Sequence, residues 1–278
     1  MAPPKIILGS GVWGYFVDED EILRQLAEAV RNGVHEIDSG AHHPYSRPGL
    51  AESMLRKIGF KKQSFIVDSK ALFTNGGNGC LTAEAVKSSI DTTVASLKTQ
   101  QVATYLLRYA LAPDRATPLD EQVAAFDAQY RVGKFAELGL CNLQPEMLQD
   151  WVKTAEDKGC SAEDLKGTRF EVSDTNAIGT FLRKCYDKPA FHSAVRQMET
   201  LCEAHGIPIA DAALRWLMHH SLLDGDKGDG VIIGPRNMQQ LKQNIKACQD
   251  GPLPPELADG LAGLFAGVKD EAAEILVY

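Results

Sequence analysis

The stretch His35-Glu-Ile-Asp-Ser-Gly-Ala-His-His-Pro-Tyr45, with the later run Ser64-Phe-Ile-Val-Asp-Ser-Lys70, decides the fold. Short β-branched runs lead into Asp38 and into Lys70, a pattern typical of strands that end on a charged side chain. Successive parallel strands bring their C-terminal ends to one mouth, so we expect Asp38 and Lys70 to lie together. A carboxylate stabilises a nearby charged amine, and that amine favours the phenolate form of a nearby tyrosine. The pattern therefore predicts Tyr45 as a proton donor, although a surface ion pair with a packed tyrosine also fits it.

The composition is that of an ordinary globular protein and argues against several classes of function. The formal net charge is −8 and no basic block offsets it, which argues against binding to a nucleic-acid backbone. No apolar run reaches about 18 residues and no apolar leader is visible, so we expect a cytoplasmic protein without a membrane partner. The six cysteines have no CxxC spacing, so no metal site is predicted.

Strand and helix patterns alternate along most of the chain. Strand-like runs at 5–8, 34–38, 65–70, 103–109 and 135–141 precede helical patterns at 18–31, 50–58, 83–97, 119–130 and 146–158. Two consecutive helices are predicted at 191–205 and 208–220, and a last strand at 230–233 precedes a helix at 238–247. This order predicts an α/β fold, a (β/α)8 TIM-barrel-like domain over residues 1–278. Between residues 158 and 189 there is room for only one strand, at 168–173, so we expect the barrel to lack one strand–helix unit.

The segment Gly230-Val-Ile-Ile-Gly-Pro-Arg-Asn-Met-Gln-Gln-Leu-Lys-Gln-Asn244 turns from a buried strand into a helix through Gly234. The helix start would bring backbone N–H groups and the Arg236 guanidinium to one place, where an anionic phosphate could bind. An ordinary strand–helix turn with a solvated arginine is the alternative. Cys141 and Asn142 follow another strand, at the end where barrel active sites lie. His42 and His43 adjoin the Asp38 segment and could transfer protons, although adjacent residues project differently.

Taken together, these residues resemble the aldo-keto reductase superfamily, most closely its aflatoxin-aldehyde reductase branch. The resemblance also rests on Ala112-Pro-Asp-Arg-Ala-Thr-Pro118, Gly133-Lys-Phe-Ala-Glu-Leu-Gly139 and the stretch 213–244. It implies NADPH-dependent reduction of an aldehyde or ketone, with Asp38 and Lys70 tuning Tyr45. It further implies that the nicotinamide is held by Cys141 and Asn142, and the adenosine phosphate by Gly234, Arg236, Gln240 and Asn244.

The departures from the family pattern lie among the residues expected around the nicotinamide and the substrate, called here the nicotinamide end of the site. The family spaces its aspartate and tyrosine five residues apart, whereas the fifth residue after Asp38 is His43 and Tyr45 comes two residues later. The family histidine at the end of the fourth strand has no counterpart, and His43 or Arg108 could replace it. The candidate catalytic residues are therefore Asp38, Tyr45, Lys70 and His43.

Two other functions remain open. Two features favour a cofactor-independent dehydratase, isomerase or cyclase. The loop from Asp38 to Tyr45 is enlarged by two residues, and Ser173 stands where the family has an aromatic that stacks on nicotinamide. Such an enzyme would act on a hydrophobic metabolite in secondary metabolism, with acid–base groups drawn from Asp38, His42, His43, Tyr45 and Lys70. The nearly complete adenosine end favours a non-catalytic NADPH-binding protein. In every case the partner is a small molecule.

Overall fold

The structure is a computed structural model that describes residues 2–44, 47–60, 65–72, 78–99, 102–108, 114–141, 150–151, 153–154 and 188–275; for 102–108, 141 and 274–275 only the backbone is described. The strands are β1 Lys5–Gly9, β2 Glu36–Asp38, β3 Ile66–Lys70, β4 Val102–Arg108, β5 Phe135–Cys141 and β6 Gly230–Ile233. The helices are α1 Glu19–Arg31, α2 Leu50–Ile58, α3 Ala83–Ser96, α4 Leu119–Arg131, α5 Pro189–Ala204, α6 Ile209–His219, α7 Met238–Gln249, α8 Pro255–Leu264 and α9 Lys269–Ile275. None of these described helices combines the length and apolar composition needed to cross a bilayer.

Contacts divide the chain into two compact units. The β1–β6 unit comprises Met1–Leu8, Arg24–Val34 and Glu171–Tyr278, and the β2–β5 unit comprises Gly9–Leu23 and His35–Phe170. In the β2–β5 unit, parallel pairing joins β2 to β3, β3 to β4 and β4 to β5. Helices α2, α3 and α4 follow β2, β3 and β4 along the chain, as expected for parallel crossovers.

The side chains of Asp38 and Lys70, at the ends of β2 and β3, lie on one face of the sheet in the β2–β5 unit. Asp38 is the register partner of Asp68, and Lys70 lies two residues further along β3. These three side chains share one face because successive residues of a strand alternate. Val67 and Ser69 project from the opposite face and are buried. Asp38 and Lys70 therefore lie on the face away from Val67 and Ser69.

In the β1–β6 unit, β1 pairs in parallel with β6, from Lys5 opposite Gly230 to Leu8 opposite Ile233. The chain before β1 is held by the turn before β6, where the Gly225 amide donates to the Ala2 carbonyl at 3.0 Å. A Cβ on Gly225 would lie 2.2 Å from the Pro3 carbonyl oxygen, so only glycine fits there. Helices α5, α6 and α8 contribute to an apolar cluster that includes Cys202, Ala212, Leu253, Leu257 and Ala258.

The predicted alternation of strands and helices is confirmed for the described elements. Each of the six strands and the helices α1 to α7 overlaps a predicted range. Of the helix predicted at 146–158, the described residues 150–151 and 153–154 are helical. The strand predicted at 168–173 lies outside the described residues, as does nearly all of the 158–189 interval in which a missing strand–helix unit was predicted. The single domain over 1–278 stays a prediction.

Candidate active site

The C-terminal ends of β2 and β3 form a buried ion pair. Lys70 Nζ donates to Asp38 Oδ1 and, at 2.7 Å, to the main-chain oxygen of Ser39. Lys70 is completely buried, and the side chain of Asp38 is 9% exposed. An ammonium group has three N–H donors, and in the described part of the chain these acceptors account for two of them. One N–H is therefore left for the oxygen of a ligand or of a phenol.

Backbone hydrogen bonds continue the ladder beyond β2 and fix the surroundings of the ion pair. The Ser39 amide donates to the Asp68 carbonyl at 2.8 Å, and the Ala41 amide donates to the Lys70 carbonyl at 3.2 Å. The Ser10 amide, directly after β1, donates to the Asp38 carbonyl at 2.9 Å. The backbones on both sides of Asp38 are therefore held in place, which limits the motion of its carboxylate.

Two buried histidines occupy the loop after β2. His42 is 1% exposed, His43 is 7% exposed, and their rings meet edge to face with centroids 4.3 Å apart. A Cβ on Gly40 would lie 2.9 Å from the His42 ring and 3.4 Å from Lys70 Cβ, so the His42 ring and the Lys70 Cβ both lie near Gly40. A Cβ on Gly11 would lie 3.9 Å from the His43 ring. The sequence analysis named His43 as a candidate catalytic residue, and in the structure His42 is buried against it.

Three buried polar atoms, on Ser39 and on the segment after β1 whose Ser10 amide contacts Asp38, have no hydrogen-bond partner among the described residues. They are the hydroxyls of Ser10 and Ser39 and the indole N–H of Trp13. A buried polar group without a partner costs free energy, so these atoms are candidates for contact with a bound small molecule. Sequence reasoning did not name them. The position of Ser39 directly after Asp38 was the one available signal.

The other predicted residues of the nicotinamide end are only partly described. Cys141 ends β5 and is the register partner of Arg108, which ends β4. Lys70 is the register partner of Leu106, two residues before Arg108. The backbones of Lys70, Arg108 and Cys141 therefore reach the same end of three adjacent strands. Tyr45 and Asn142 lie outside the described residues.

The predicted phosphate-binding residues lie at the start of α7, in the β1–β6 unit. Asn237 caps this helix, because its side-chain oxygen accepts from the Gln240 amide at 2.9 Å. The side-chain oxygen of Gln240 in turn accepts from the Arg236 amide at 2.8 Å. Gln240 therefore has a structural contact in addition to the predicted phosphate contact, which leaves its Nε2 as the ligand donor. Gly234 and Arg236 are exposed, and Asn244 is half-buried.

Similarity to known proteins agrees with this arrangement. The chain matches the Aldo/keto reductase family over residues 5–166 and 164–263. It is 27% identical to the oxidoreductase sirO of Leptosphaeria maculans, over 70% of this chain and 72% of that protein. It is 24% identical to an aldo-keto reductase of Pseudocercospora fijiensis, over 87% of this chain and 97% of that protein.

A human relative, aflatoxin B1 aldehyde reductase member 2, is 25% identical over 92% of this chain and 86% of that protein. The alignment to it spans 313 positions, more than the 278 residues present, so the human protein contains segments that this chain lacks.

No group of three or more His, Cys, Asp or Glu side chains that could hold a metal ion occurs in the described ranges. The family match covers most of the sequence and confirms both the predicted resemblance and the TIM-barrel fold class. The chain belongs to the aldo/keto reductase family and is an oxidoreductase of that barrel fold.

Proposed function

We propose that this oxidoreductase reduces an aldehyde or ketone with NADPH, and that Tyr45 donates the proton. The buried Lys70–Asp38 pair at the strand ends carries this proposal. A buried ion pair is costly unless its geometry is well satisfied, and the described residues leave one ammonium N–H for a further acceptor. A phenol oxygen at that N–H would be stabilised as the phenolate, which makes the phenol a better acid near neutral pH.

The proposed reaction adds a hydride and a proton to the carbonyl group. NADPH, when bound, supplies the hydride that forms the new C–H bond at the carbonyl carbon. Tyr45 gives its hydroxyl proton to the carbonyl oxygen as the C=O π bond becomes a lone pair, and a proton from solvent restores the phenol. Lys70 stabilises the transient phenolate by donating an N–H to it. Asp38 keeps the lysine charged and oriented, and the product is an alcohol.

The start of α7 has the chemistry that an adenosine phosphate requires. Gln240 and Asn244 lie four residues apart in α7 and therefore share one face of the helix, and Arg236 lies just before the N-cap residue, where its amide donates to the Gln240 side chain. Their side chains offer a guanidinium and two amide N–H groups as donors. The first turn of α7 contains no acidic residue that would oppose a phosphate at the positive end of the helix. The residues present therefore fit an anionic group.

Replacing Arg236 with alanine is expected to raise the dissociation constant for NADPH by about 10- to 100-fold, because a charge-assisted hydrogen bond contributes about 1.5–3 kcal/mol. Affinity for NADH, which lacks the 2′-phosphate, should change little. Lys246→Ala is the matched control, since it removes one positive charge at the other end of the same helix. Unchanged NADPH affinity in Arg236→Ala would remove the phosphate role from this residue.

Replacing Tyr45 with phenylalanine is expected to lower turnover by about two to four orders of magnitude while NADPH affinity stays at the wild-type value. The substitution removes one hydroxyl group and keeps the ring, so the fold should persist. Turnover with an aldehyde and binding of NADPH are measured on the same preparation. Full activity in Tyr45→Phe would assign the proton to another group, with His42 or His43 tested next.

A second candidate function is favoured by the two buried histidines in the loop that follows Asp38. This set of acid–base groups would also serve a cofactor-independent dehydratase, isomerase or cyclase that acts on a hydrophobic metabolite. A titration with NADPH, followed by nicotinamide fluorescence and melting temperature, separates the candidates because a ligand of the folded state must raise its stability. No response at millimolar NADPH would favour the second candidate over the reductase.

The substrate that we propose is a small-molecule carbonyl compound, and aldehydes come first in the screen because the name of the human relative indicates an aldehyde. Cytoplasmic location and a role in secondary metabolism stay predictions. NADPH binding without turnover, whatever carbonyl is offered, would instead indicate a non-catalytic NADPH-binding protein.

A further inference from the structure

The residue before Lys70 is tied to a helix on the other face of the sheet. Strand alternation directs Ser69 away from the face that Lys70 and Asp38 share. Ser69 Oγ donates a 2.6 Å hydrogen bond to Glu52 Oε1, in α2. Ser69 is completely buried and Glu52 is 1% exposed. A buried carboxyl group therefore holds β3 on the face opposite the Lys70 side chain.

The same carboxyl oxygen is also tied to α3. Thr93 Oγ1 donates to Glu52 Oε1 at 3.0 Å, and Thr93 is completely buried. Just beyond β3, the Leu72 amide donates to Ser89 Oγ of α3 at 2.8 Å. The end of β3 is thus bounded on this face by polar contacts with α2 and α3.

The buried position of Glu52 is unfavourable for a charged carboxylate. Burial raises the pKa of Glu52, and the hydrogen bonds from Ser69 and Thr93 offset only part of this effect. Glu52 cannot touch a substrate next to Lys70, because it contacts Ser69 on the opposite face of β3. A contribution to the chemistry must therefore act through the position of the strand.

We propose that Glu52 is a positioning residue that fixes the Lys70 amine by holding Ser69, and this inference rests on the reductase function proposed above. Lys70 ends β3, so the position of its backbone depends on what holds the last residues of the strand. The Ser69–Glu52 bond sets the distance between the end of β3 and helix α2, and thereby the position of the Lys70 backbone relative to Asp38. Misplacing a reacting group by about 1 Å can cost on the order of 100-fold in rate.

Two substitutions that each remove one hydrogen bond to the same Glu52 oxygen test the inference. Ser69→Ala breaks the bond to β3, and Thr93→Val breaks the bond to α3 while it keeps the shape of the side chain. We expect kcat to fall at least about tenfold in Ser69→Ala with KM nearly unchanged. We expect Thr93→Val to keep kcat within about twofold of wild type. Equal losses in the two variants, or wild-type kcat in both, would overturn the proposal.

Variants of Glu52 itself separate positioning from bulk stability. Glu52→Gln keeps an oxygen that can accept from Ser69, so its kcat should stay within about threefold of wild type. Glu52→Leu fills the space without an acceptor, and its kcat should fall as in Ser69→Ala. A loss in Glu52→Gln as large as the loss in Glu52→Leu would contradict the proposed role of the Ser69 hydrogen bond.

Hydrogen–deuterium exchange over residues 66–72 provides a readout that needs no substrate. Exchange at the end of β3 should be faster in Ser69→Ala and Glu52→Leu and unchanged in Thr93→Val. If the wild-type protein reduces no carbonyl compound, the proposed function fails, and this exchange pattern decides the positioning inference alone. Identical exchange in all variants would overturn it.

Discussion

Replacing Lys70 with methionine should lower turnover by about two to four orders of magnitude and lower the free energy of unfolding by about 3–5 kcal/mol. Lys70 is completely buried and donates to Asp38 and to the Ser39 carbonyl. Removing the ammonium takes away the cation that offsets the buried Asp38 carboxylate, and breaking a buried ion pair by removing one partner is strongly destabilising. Denaturant unfolding and turnover with an aldehyde, measured on one preparation, check both parts.

The double variant Asp38→Asn with Lys70→Met separates stability from chemistry. Asparagine removes the buried negative charge that Lys70 offsets in the wild type, so the double variant should recover most of the stability that Lys70→Met loses. It should recover none of the turnover, because the N–H donor to the proton-donating group is still absent. Wild-type stability and activity in Lys70→Met would mean that the ion pair contributes to neither.

Replacing Asp114 with asparagine should cost about 3 kcal/mol of unfolding free energy, since it removes a buried charged acceptor from several donors. The carboxylate accepts from the amides of Gly79, Leu81, Ala116 and Thr117 and from the Thr117 hydroxyl. It therefore joins the segment before α3 to the segment before α4. Asparagine would turn an N–H₂ group toward some of these donors.

The stability lost in Asp114→Asn should depend on pH. Burial raises the pKa of Asp114, but hydrogen bonds from Gly79, Thr117 and Leu81 outweigh burial and hold the pKa below its ordinary value. The stabilisation is therefore complete above about pH 4 and is lost as the pH falls through the lower folded-state pKa. The difference between wild type and variant should shrink on acidification. Asp91→Asn, at an exposed ion pair on α3, is the control and should change stability little at any pH.

The fold was largely predictable because alternating strand and helix patterns carry local information. The helices α8 and α9 were not predicted. The segment of α8 and the residues after it contains Gly260, Gly263 and Gly267, which lower helix propensity. Packing of Leu257 and Ala258 against Cys202 and Ala212 accompanies the helix in the structure. Such contacts join distant parts of the chain, and single-sequence patterns do not contain them.

The sequence predicts those site residues that are charged and end a strand. It does not predict residues whose role depends on partners distant in the sequence. Asp38 and Lys70 follow apolar runs, and their pairing followed from parallel topology. Glu52 looked like an ordinary helix residue, since its partner Thr93 is 41 positions away. The burial of His42 depends on the turn at Gly40, whose conformation the residue types do not specify.

Transfer of deuterium to the product alcohol from NADPH that carries deuterium at both C4 positions tests the central claim most directly. The purified chain is mixed with the labelled cofactor and a panel of aldehydes and ketones, and the products are analysed by mass spectrometry. NADPH-dependent carbonyl reduction predicts one deuterium at the carbinol carbon for each cofactor oxidised, and loss of this product in Tyr45→Phe. No labelled alcohol from any carbonyl compound, in a protein that remains folded, would contradict the account.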